Sequence, residues 1–175
     1  MKILDFFSHV NQFENKLYYP YIIAESGVNH EGKMDLAKRL IDEAKEGGAD
    51  AIKFQTYKAD KLSTKNAPRF WSWKGESKVD GSQHDSYSQL DSFEKEQYAE
   101  LIKLCHKYGI EFLSTPFDYE SVDMLVDLGM RAFKIASCDL TNIPFLKYIA
   151  KKNLPMLIST GAADINEIMK ATQAI

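Results

Sequence analysis

The chain has 175 residues, of which 45% are hydrophobic and 27% are charged, a composition typical of a soluble globular protein with one sizeable core. The net charge of −3 gives no reason to expect nucleic acid or an anionic membrane surface as a partner. Polar residues interrupt residues 1–19, so no secretory signal is expected, and no apolar run approaches the roughly 18 residues of a membrane helix. We therefore expect a cytoplasmic protein whose two cysteines, Cys105 and Cys138, are reduced.

Residues 1–20 are mixed and rich in aromatic side chains, and we expect them to form a cap over one end of the core or a short strand. From residue 21 onward, short apolar runs alternate with amphipathic helical patterns. The apolar runs predict buried parallel strands over residues 21–25, 51–55, 110–115, 132–136 and 155–158. The helical patterns begin near residues 33, 91, 118, 144 and 164. Caps are predicted at Asp91, Asp118 and Asp164.

The longest predicted loop covers residues 57–90, between the second strand and the second helix. It contains Trp71, Trp73 and His84. Loops of this length in compact domains usually have a function or are disordered. The two tryptophans favour an ordered loop that covers something, and the alternative is a surface insertion that packs on its own aromatic side chains.

Strict alternation of five strands and five helices predicts an α/β fold with a parallel sheet, either doubly wound or a (β/α)8 TIM barrel. The dinucleotide-binding pattern G-x-G-x-x-G is absent after the first strand. Polar residues stand at the carboxyl end of every strand, where barrel enzymes place their active sites. Both observations favour the barrel. Because a complete barrel needs about 250 residues, we expect residues 21–175 to form a partial TIM barrel with about the first five units.

Closure into a barrel would bring the polar strand ends to one mouth. The residues concerned are Glu25, Lys53, Gln55, Ser114, Thr115, Lys134, Ser137, Asp139, Ser159 and Thr160. Two lysines ringed by hydroxyl groups suit a phosphate or a phosphocarboxylate. The carboxylates could orient sugar hydroxyls or move protons.

Three residues of this region have alternative interpretations. Glu25 could be a structural carboxylate that accepts hydrogen bonds from loop N–H groups. Lys134 could form a Schiff base, as in barrel aldolases, although its serine and threonine surroundings fit anion binding better. His30 is more consistent with positioning its loop than with metal binding, since no second histidine lies at ligand spacing.

Several motifs occur in order and in register with the predicted strand ends. They are IAESGVNHEG at residues 23–32, GADAIKFQT at 48–56, STPFD at 114–118, KIAS at 134–137, DLTN at 139–142 and STG at 159–161. Together they resemble the sialic acid synthase family over about residues 22–168. The resemblance implies a (β/α)8 barrel followed by a small antifreeze-like domain, in a domain-swapped homodimer.

Members of that family condense phosphoenolpyruvate with an N-acetylmannosamine-type hexosamine and release phosphate, which gives a nine-carbon nonulosonic acid for carbohydrate biosynthesis. By resemblance, Glu25 is the essential catalytic carboxylate. The residues that the resemblance assigns to phosphoenolpyruvate are Lys53, Thr115, Lys134, Ser137 and Ser159. Those expected to bind the sugar or to support the site are Gln55, Asp139, Asn29 and His30.

This chain also departs from the family pattern. The family's metal ligands are two histidines on later strands, so we expect no metal site in this chain and Mn²⁺ or Mg²⁺ in the full-length enzyme. The antifreeze-like domain is missing as well, and Cys138 stands where many members have glycine. We expect the isolated chain to be inactive. The alternatives are another barrel aldolase or synthase that uses a phosphorylated three-carbon substrate, or an inactive fragment that binds an anion.

Overall fold

The computed structural model describes residues 2–9, 20–69, 81–91 and 93–175, and within these ranges strands alternate with helices. The strands are β1 Ile23–Gly27, β2 Ala51–Thr56, β3 Glu111–Pro116, β4 Phe133–Ile135 and β5 Met156–Ile158. The helices are α1 Ile3–His9, α2 Met34–Glu46, α3 Ala59–Leu62, α4 Gln83–Ser88, α5 Lys95–Tyr108, α6 Tyr119–Asp127, α7 Ile143–Ala150 and α8 Ile165–Ala174. A short 3₁₀ helix covers Ser137–Asp139. No helix of the described ranges is long and apolar enough to cross a membrane.

All strand pairs are parallel, as predicted, but they form two sheets instead of one. The first sheet has the order β1–β2–β3 and the second pairs β4 with β5. In the first sheet Glu25 lies opposite Lys53, and Gln55 lies opposite Thr115. In the second sheet Lys134 is paired across the ladder with a β5 residue. The α/β class with parallel sheets is therefore confirmed.

The two faces of the sheets carry different apolar clusters. Between the first sheet and its helices lies the larger cluster, which includes Ile52 and Phe54 of β2. The smaller one lies on the opposite face and is built by Ile3, Ala51 and Leu113 together with a residue just before β4. Side chains alternate between the faces of a strand. The smaller cluster therefore marks the side of the sheets that would be the interior of a barrel.

Residues 3–9 form a helix, so the strand alternative for this segment is wrong. Ile3 of α1 is buried, at 1% exposure, and belongs to the same cluster as Ala51 at the amino end of β2, with Phe7 packed against that cluster. A helix can turn these side chains towards the core while Leu4 stays 44% exposed. The remainder of the predicted cap, residues 10–19, lies outside the described residues.

Helix α5 begins a few residues later than predicted, and Asp91 does not cap it. A capping box at the residue before α5 satisfies its first turn. Asp91 instead accepts the backbone N–H of Ala59 at 2.8 Å and pairs with Lys58 at 3.1 Å. It thereby ties the start of α3 to the segment before α5. Asp118 and Asp164 cap α6 and α8 as predicted.

The predicted loop of residues 57–90 contains two short helices, α3 and α4. They are joined by a hydrogen bond of 2.8 Å between His84 Nε2 and Asp60 Oδ1. These two helices give parts of the long segment a regular backbone structure. The two tryptophans, with the rest of residues 70–80, lie outside the described residues.

The edge formed by β5 and α8 is incompletely covered. Each residue of β5 is only partly buried. On α8 and just after it, Ile165, Met169 and Ile175 are 66%, 53% and 47% exposed. Exposed apolar side chains beside an edge strand are typical of a surface that is covered by further protein.

Candidate functional site

Strand alternation places most of the predicted site residues on one face. On β2, Ala51 belongs to the smaller cluster, so Lys53 and Gln55 lie on the same side of the strand. The same spacing applies to the other strands. Two positions after their residues in or packed against this cluster, Leu113, Ala132 and Leu157, come Thr115, Lys134 and Ser159, which therefore lie on the same side. Because all these residues lie at the carboxyl ends of parallel strands, they converge at one end of the two sheets.

Glu25 and Lys53 form an ion pair at the centre of this face. Lys53 is almost buried, with 11% of its side chain exposed, and its Nζ contacts Oε2 of Glu25, whose side chain is 54% exposed. A buried ammonium group needs a partner charge, because burial removes its hydration. Glu25 supplies that charge from the adjacent strand. The prediction that Glu25 belongs to a charged site therefore agrees with its position.

A break in the ladder aims Glu25 towards Lys53. The pairing of β1 with β2 is irregular between Glu25 and Gly27, and Gly27 has a φ of +55°. A Cβ at Gly27 would lie 3.3 Å from Oε1 of Glu25 and 3.8 Å from Nε2 of Gln55. Glycine is thus required both by the backbone conformation and by the close approach of the carboxylate.

Lys134 is held by neutral groups. Its Nζ donates hydrogen bonds to Oγ of Ser159 at 2.5 Å and to the Ile135 carbonyl at 2.8 Å. Burial lowers the pKa of Lys134 and the positive charge of Lys53 lowers it further, whereas Glu25 acts in the opposite direction. The two lysines and Glu25 are therefore close enough to form one electrostatic unit.

The 3₁₀ helix after β4 adds two more of the predicted residues. A Cβ at Gly161 would lie 3.5 Å from Oγ of Ser137, which places Ser137 against the turn after β5. Asp139 accepts a hydrogen bond from Asn142 Nδ2 at 3.4 Å, and burial raises its carboxyl pKa. Cys138, between them, is exposed and is a free thiol.

Ser114 does not belong to the site. It points to the opposite face from Thr115, and its Oγ lies 2.7 Å from Oγ1 of Thr56. Both hydroxyl groups are buried among the side chains between sheet and helices, with Ser114 at 0% and Thr56 at 2% exposure. The prediction for Ser114 was wrong because adjacent residues of a strand cannot share a face. Thr160 is exposed in the turn after β5.

Neighbouring substitutions at Ser114 and Thr115 separate stability from ligand binding. Ser114→Ala removes one hydrogen-bond partner of the buried Thr56 hydroxyl, and we expect a loss of about 1 kcal/mol in unfolding free energy with unchanged affinity for phosphate. Thr115→Ala removes a hydroxyl from the charged face and should weaken phosphate binding instead. Urea unfolding and calorimetric titration of both variants check this. A lower phosphate affinity only in Ser114→Ala would contradict the assignment of the two faces.

His30 is buried behind the loop that carries Asn29. Its Nδ1 accepts the backbone N–H of Gly32 at 3.1 Å, and its ring stacks on Phe93 with centroids 4.3 Å apart. Nε2 is buried without a hydrogen-bond partner among the described residues. Burial lowers the pKa of His30 to about 4, so the ring is neutral at pH 7. This geometry is consistent with a loop-positioning role, whereas Asn29 itself is exposed.

Acid should destabilise the protein through His30. Since the folded-state pKa of about 4 lies below the unfolded value of about 6.5, the unfolded chain binds the proton first. Stability is therefore lost as the pH falls from about 6.5 towards 4, by about 2 kcal/mol between pH 7.5 and pH 5. Urea unfolding of the wild type and His30→Asn at both pH values measures this difference. An equal pH dependence in the two proteins would contradict it.

The residues of the site do not fit a divalent metal. In the ranges that the structure describes, no group of three or more His, Cys, Asp or Glu side chains could hold one. Glu25 is engaged with Lys53, and His30 is enclosed by apolar rings. The metal that the resemblance implies therefore has no ligand set among these residues.

Two supporting residues were missed in the sequence. Gly27 makes room for the Glu25 carboxylate, and a glycine directly after a polar strand end was the available signal. Phe93, which stacks on His30, lies 63 positions further along the chain. Because that contact depends on how α5 is placed, no local pattern points to it.

Comparison with known proteins gives related matches over most of the chain. A family model described as the NeuB family matches residues 40–175. An N,N'-diacetyllegionaminic acid synthase of Legionella pneumophila is 43% identical over 155 residues, which are 89% of this chain and 43% of that protein. The human N-acetylneuraminate-9-phosphate synthase is 35% identical over 160 residues, again 89% of this chain and 43% of the relative.

A solved structure is also similar to this chain in both fold and sequence. The crystal structure of N-acetylneuraminic acid (sialic acid) synthetase from Leptospira borgpetersenii, in complex with citrate, superposes with a TM-score of 0.73 at 37% identity. The match covers 88% of this chain and 49% of that one. The chain thus spans less than half the length of the curated relatives it matches. By the extent of the family match and its agreement with these relatives, the chain belongs to the NeuB family.

Proposed function

We propose that the full-length protein condenses phosphoenolpyruvate with an N-acetylmannosamine-type hexosamine to form a nonulosonic acid and release phosphate. Membership of the NeuB family and the names of the relatives support this reaction class. The observation that carries the proposal is the unit of Glu25, Lys53 and Lys134 on one face at the strand ends. Two cations beside one carboxylate suit a phosphorylated carboxylic acid as ligand.

The chain would be the amino-terminal part of a TIM barrel. The partly buried strand β5 and the exposed apolar residues of α8 support this, because a following strand and helix would cover them. The metal ligands and the antifreeze-like domain would then lie in the remaining part. A cytoplasmic homodimer that contains Mn²⁺ or Mg²⁺ completes the proposal.

Binding of phosphoenolpyruvate would use the charges and hydroxyl groups of the common face. Lys53 and Lys134 would contact the phosphate and carboxylate groups. Hydroxyl donors around them are Thr115, Ser137 and Ser159. Because these donors stand on packed strands or tight turns, little reorganisation would accompany binding. Gln55 and Asp139, at the rim of the same end, would face the sugar.

Bond formation would join C3 of the enol to the aldehyde carbon of the open-chain sugar. Positive charge then develops at C2, water adds there, and the tetrahedral intermediate loses phosphate by cleavage of the C–O bond. Glu25 would stabilise the cationic centre or accept the proton of the attacking water. Its partial exposure and its pairing with the cationic Lys53 suit either task.

Release of inorganic phosphate tests the proposed function. We expect the full-length protein, assayed with phosphoenolpyruvate and Mn²⁺, to release phosphate only when a suitable hexosamine is added. N-acetylmannosamine and its 6-deoxy diacetamido relative are the acceptors to compare. A protein that folds and binds phosphoenolpyruvate but releases no phosphate with either sugar would contradict the proposal.

A Schiff-base aldolase is the second candidate, because the lowered pKa of Lys134 is what such a lysine requires. Its hydrogen bonds to Ser159 and to the Ile135 carbonyl favour an anion-binding ammonium group instead. Borohydride reduction in the presence of pyruvate distinguishes the two. We expect no covalent adduct at Lys134, and a trapped adduct found by peptide mass spectrometry would favour the aldolase.

A further inference from the structure

The two lysines of the site have different kinds of partner. Lys53 is neutralised by the carboxylate of Glu25. Among the residues that the structure describes, Lys134 donates to two neutral oxygen atoms, those of Ser159 and the Ile135 carbonyl. The unit of three charged groups therefore has one cation whose charge is balanced and one whose charge is available to an anion.

A phosphate-bearing anion that binds both lysines must compete with Glu25 for Lys53 while this ion pair is closed. The Glu25 carboxylate occupies Lys53 and would repel an anion that approaches it. Lys53 cannot turn away to meet the ligand elsewhere, since only 11% of its side chain is exposed. The group that must move is therefore Glu25.

The position of Glu25 allows its side chain to move. Its side chain is 54% exposed, and it stands where the pairing of β1 with β2 becomes irregular. A half-exposed glutamate pays little in solvation when it leaves one partner, because water replaces the lost contact.

We propose that the Glu25–Lys53 ion pair is a latch, and that an incoming phosphate-bearing anion opens it by taking over Lys53. Glu25 is then released from its structural partner at the moment when the anion is bound, and its carboxylate becomes free to act on the reacting carbon atoms. The latch rests on the proposed function for the identity of the anion, phosphoenolpyruvate, but its opening requires no turnover.

The test is the affinity of the full-length protein for inorganic phosphate and for phosphoenolpyruvate, measured by isothermal titration calorimetry. Glu25→Gln removes the competing charge, so we expect both anions to bind about tenfold more tightly than to the wild type. Glu31→Gln is the matched control, because Glu31 stands in the turn just after β1 and pairs with the exposed Lys33. Its anion affinity should equal that of the wild type.

Unchanged or weaker binding by Glu25→Gln would overturn the latch. If that variant does not fold, as judged by circular dichroism, Glu25→Ala serves in its place with the same expected gain. Failure of the proposed function looks different. If Glu25→Gln gains anion affinity but the full-length protein never releases phosphate with a hexosamine, the latch is supported and the synthase reaction is contradicted.

Discussion

Glu25→Gln is expected to reduce the turnover of the full-length protein by about 10²–10⁴-fold, the usual contribution of a positioned acid or base. The amide has nearly the same shape as the carboxylate, so the fold and the approach to Gly27 are kept. What is lost is the negative charge beside the reacting carbon atoms. Steady-state phosphate release at saturating phosphoenolpyruvate measures the change.

Because Glu31→Gln removes a nearby carboxylate from the turn after β1 and not from the charged face, it should retain the turnover of the wild type. The combination of lost turnover and tighter anion binding in Glu25→Gln would separate a catalytic carboxylate from a structural one. Full activity of Glu25→Gln would show that Glu25 serves only to neutralise Lys53.

Lys134→Ala is expected to raise the KM for phosphoenolpyruvate by about one to two orders of magnitude, because one charge-assisted hydrogen bond to the ligand contributes about 1.5–3 kcal/mol. Lys134→Arg should not restore binding, since a planar guanidinium group does not fit the two oxygen atoms that hold the ammonium group. Initial rates at varied phosphoenolpyruvate give the KM.

Lys33→Ala is the control for this variant, because Lys33 is an exposed lysine that pairs with Glu31 outside the site. Its KM should equal that of the wild type. If the KM of Lys134→Ala is also unchanged, Lys134 does not bind phosphoenolpyruvate, and Lys53 is the principal cation of the site.

The sequence was informative about the site because its main elements obey short-range rules. Buried parallel strands appear as short apolar runs, and polar residues at their carboxyl ends must meet. This reasoning predicted that Glu25, Lys53 and Lys134 meet, and Glu25 and Lys53 are in contact in the structure. It could not decide which of two adjacent hydroxyl residues, Ser114 or Thr115, points to the site, because the choice depends on how the sheet lies between its two apolar clusters.

Features that depend on tertiary contacts were not predictable in the same way. Helix α1 contacts the core through Ile3 and Phe7, and its apolar residues fit a strand equally well. Asp91 looked like a helix cap, but it bonds to the start of α3 instead, 32 positions earlier in the chain. The ion pair of Glu25 with Lys53 required the register of β1 on β2, which a single sequence does not contain.

The fate of the bridging oxygen of phosphoenolpyruvate tests the proposed condensation most directly. We would incubate the full-length protein with Mn²⁺, a hexosamine and phosphoenolpyruvate labelled with ¹⁸O between C2 and phosphorus, and analyse both products by mass spectrometry. Cleavage of the C–O bond predicts hexosamine-dependent release of ¹⁸O-labelled phosphate and an unlabelled nonulosonic acid. Label retained in the organic product, or phosphate released at the same rate without the sugar, would contradict the reaction proposed for Glu25, Lys53 and Lys134.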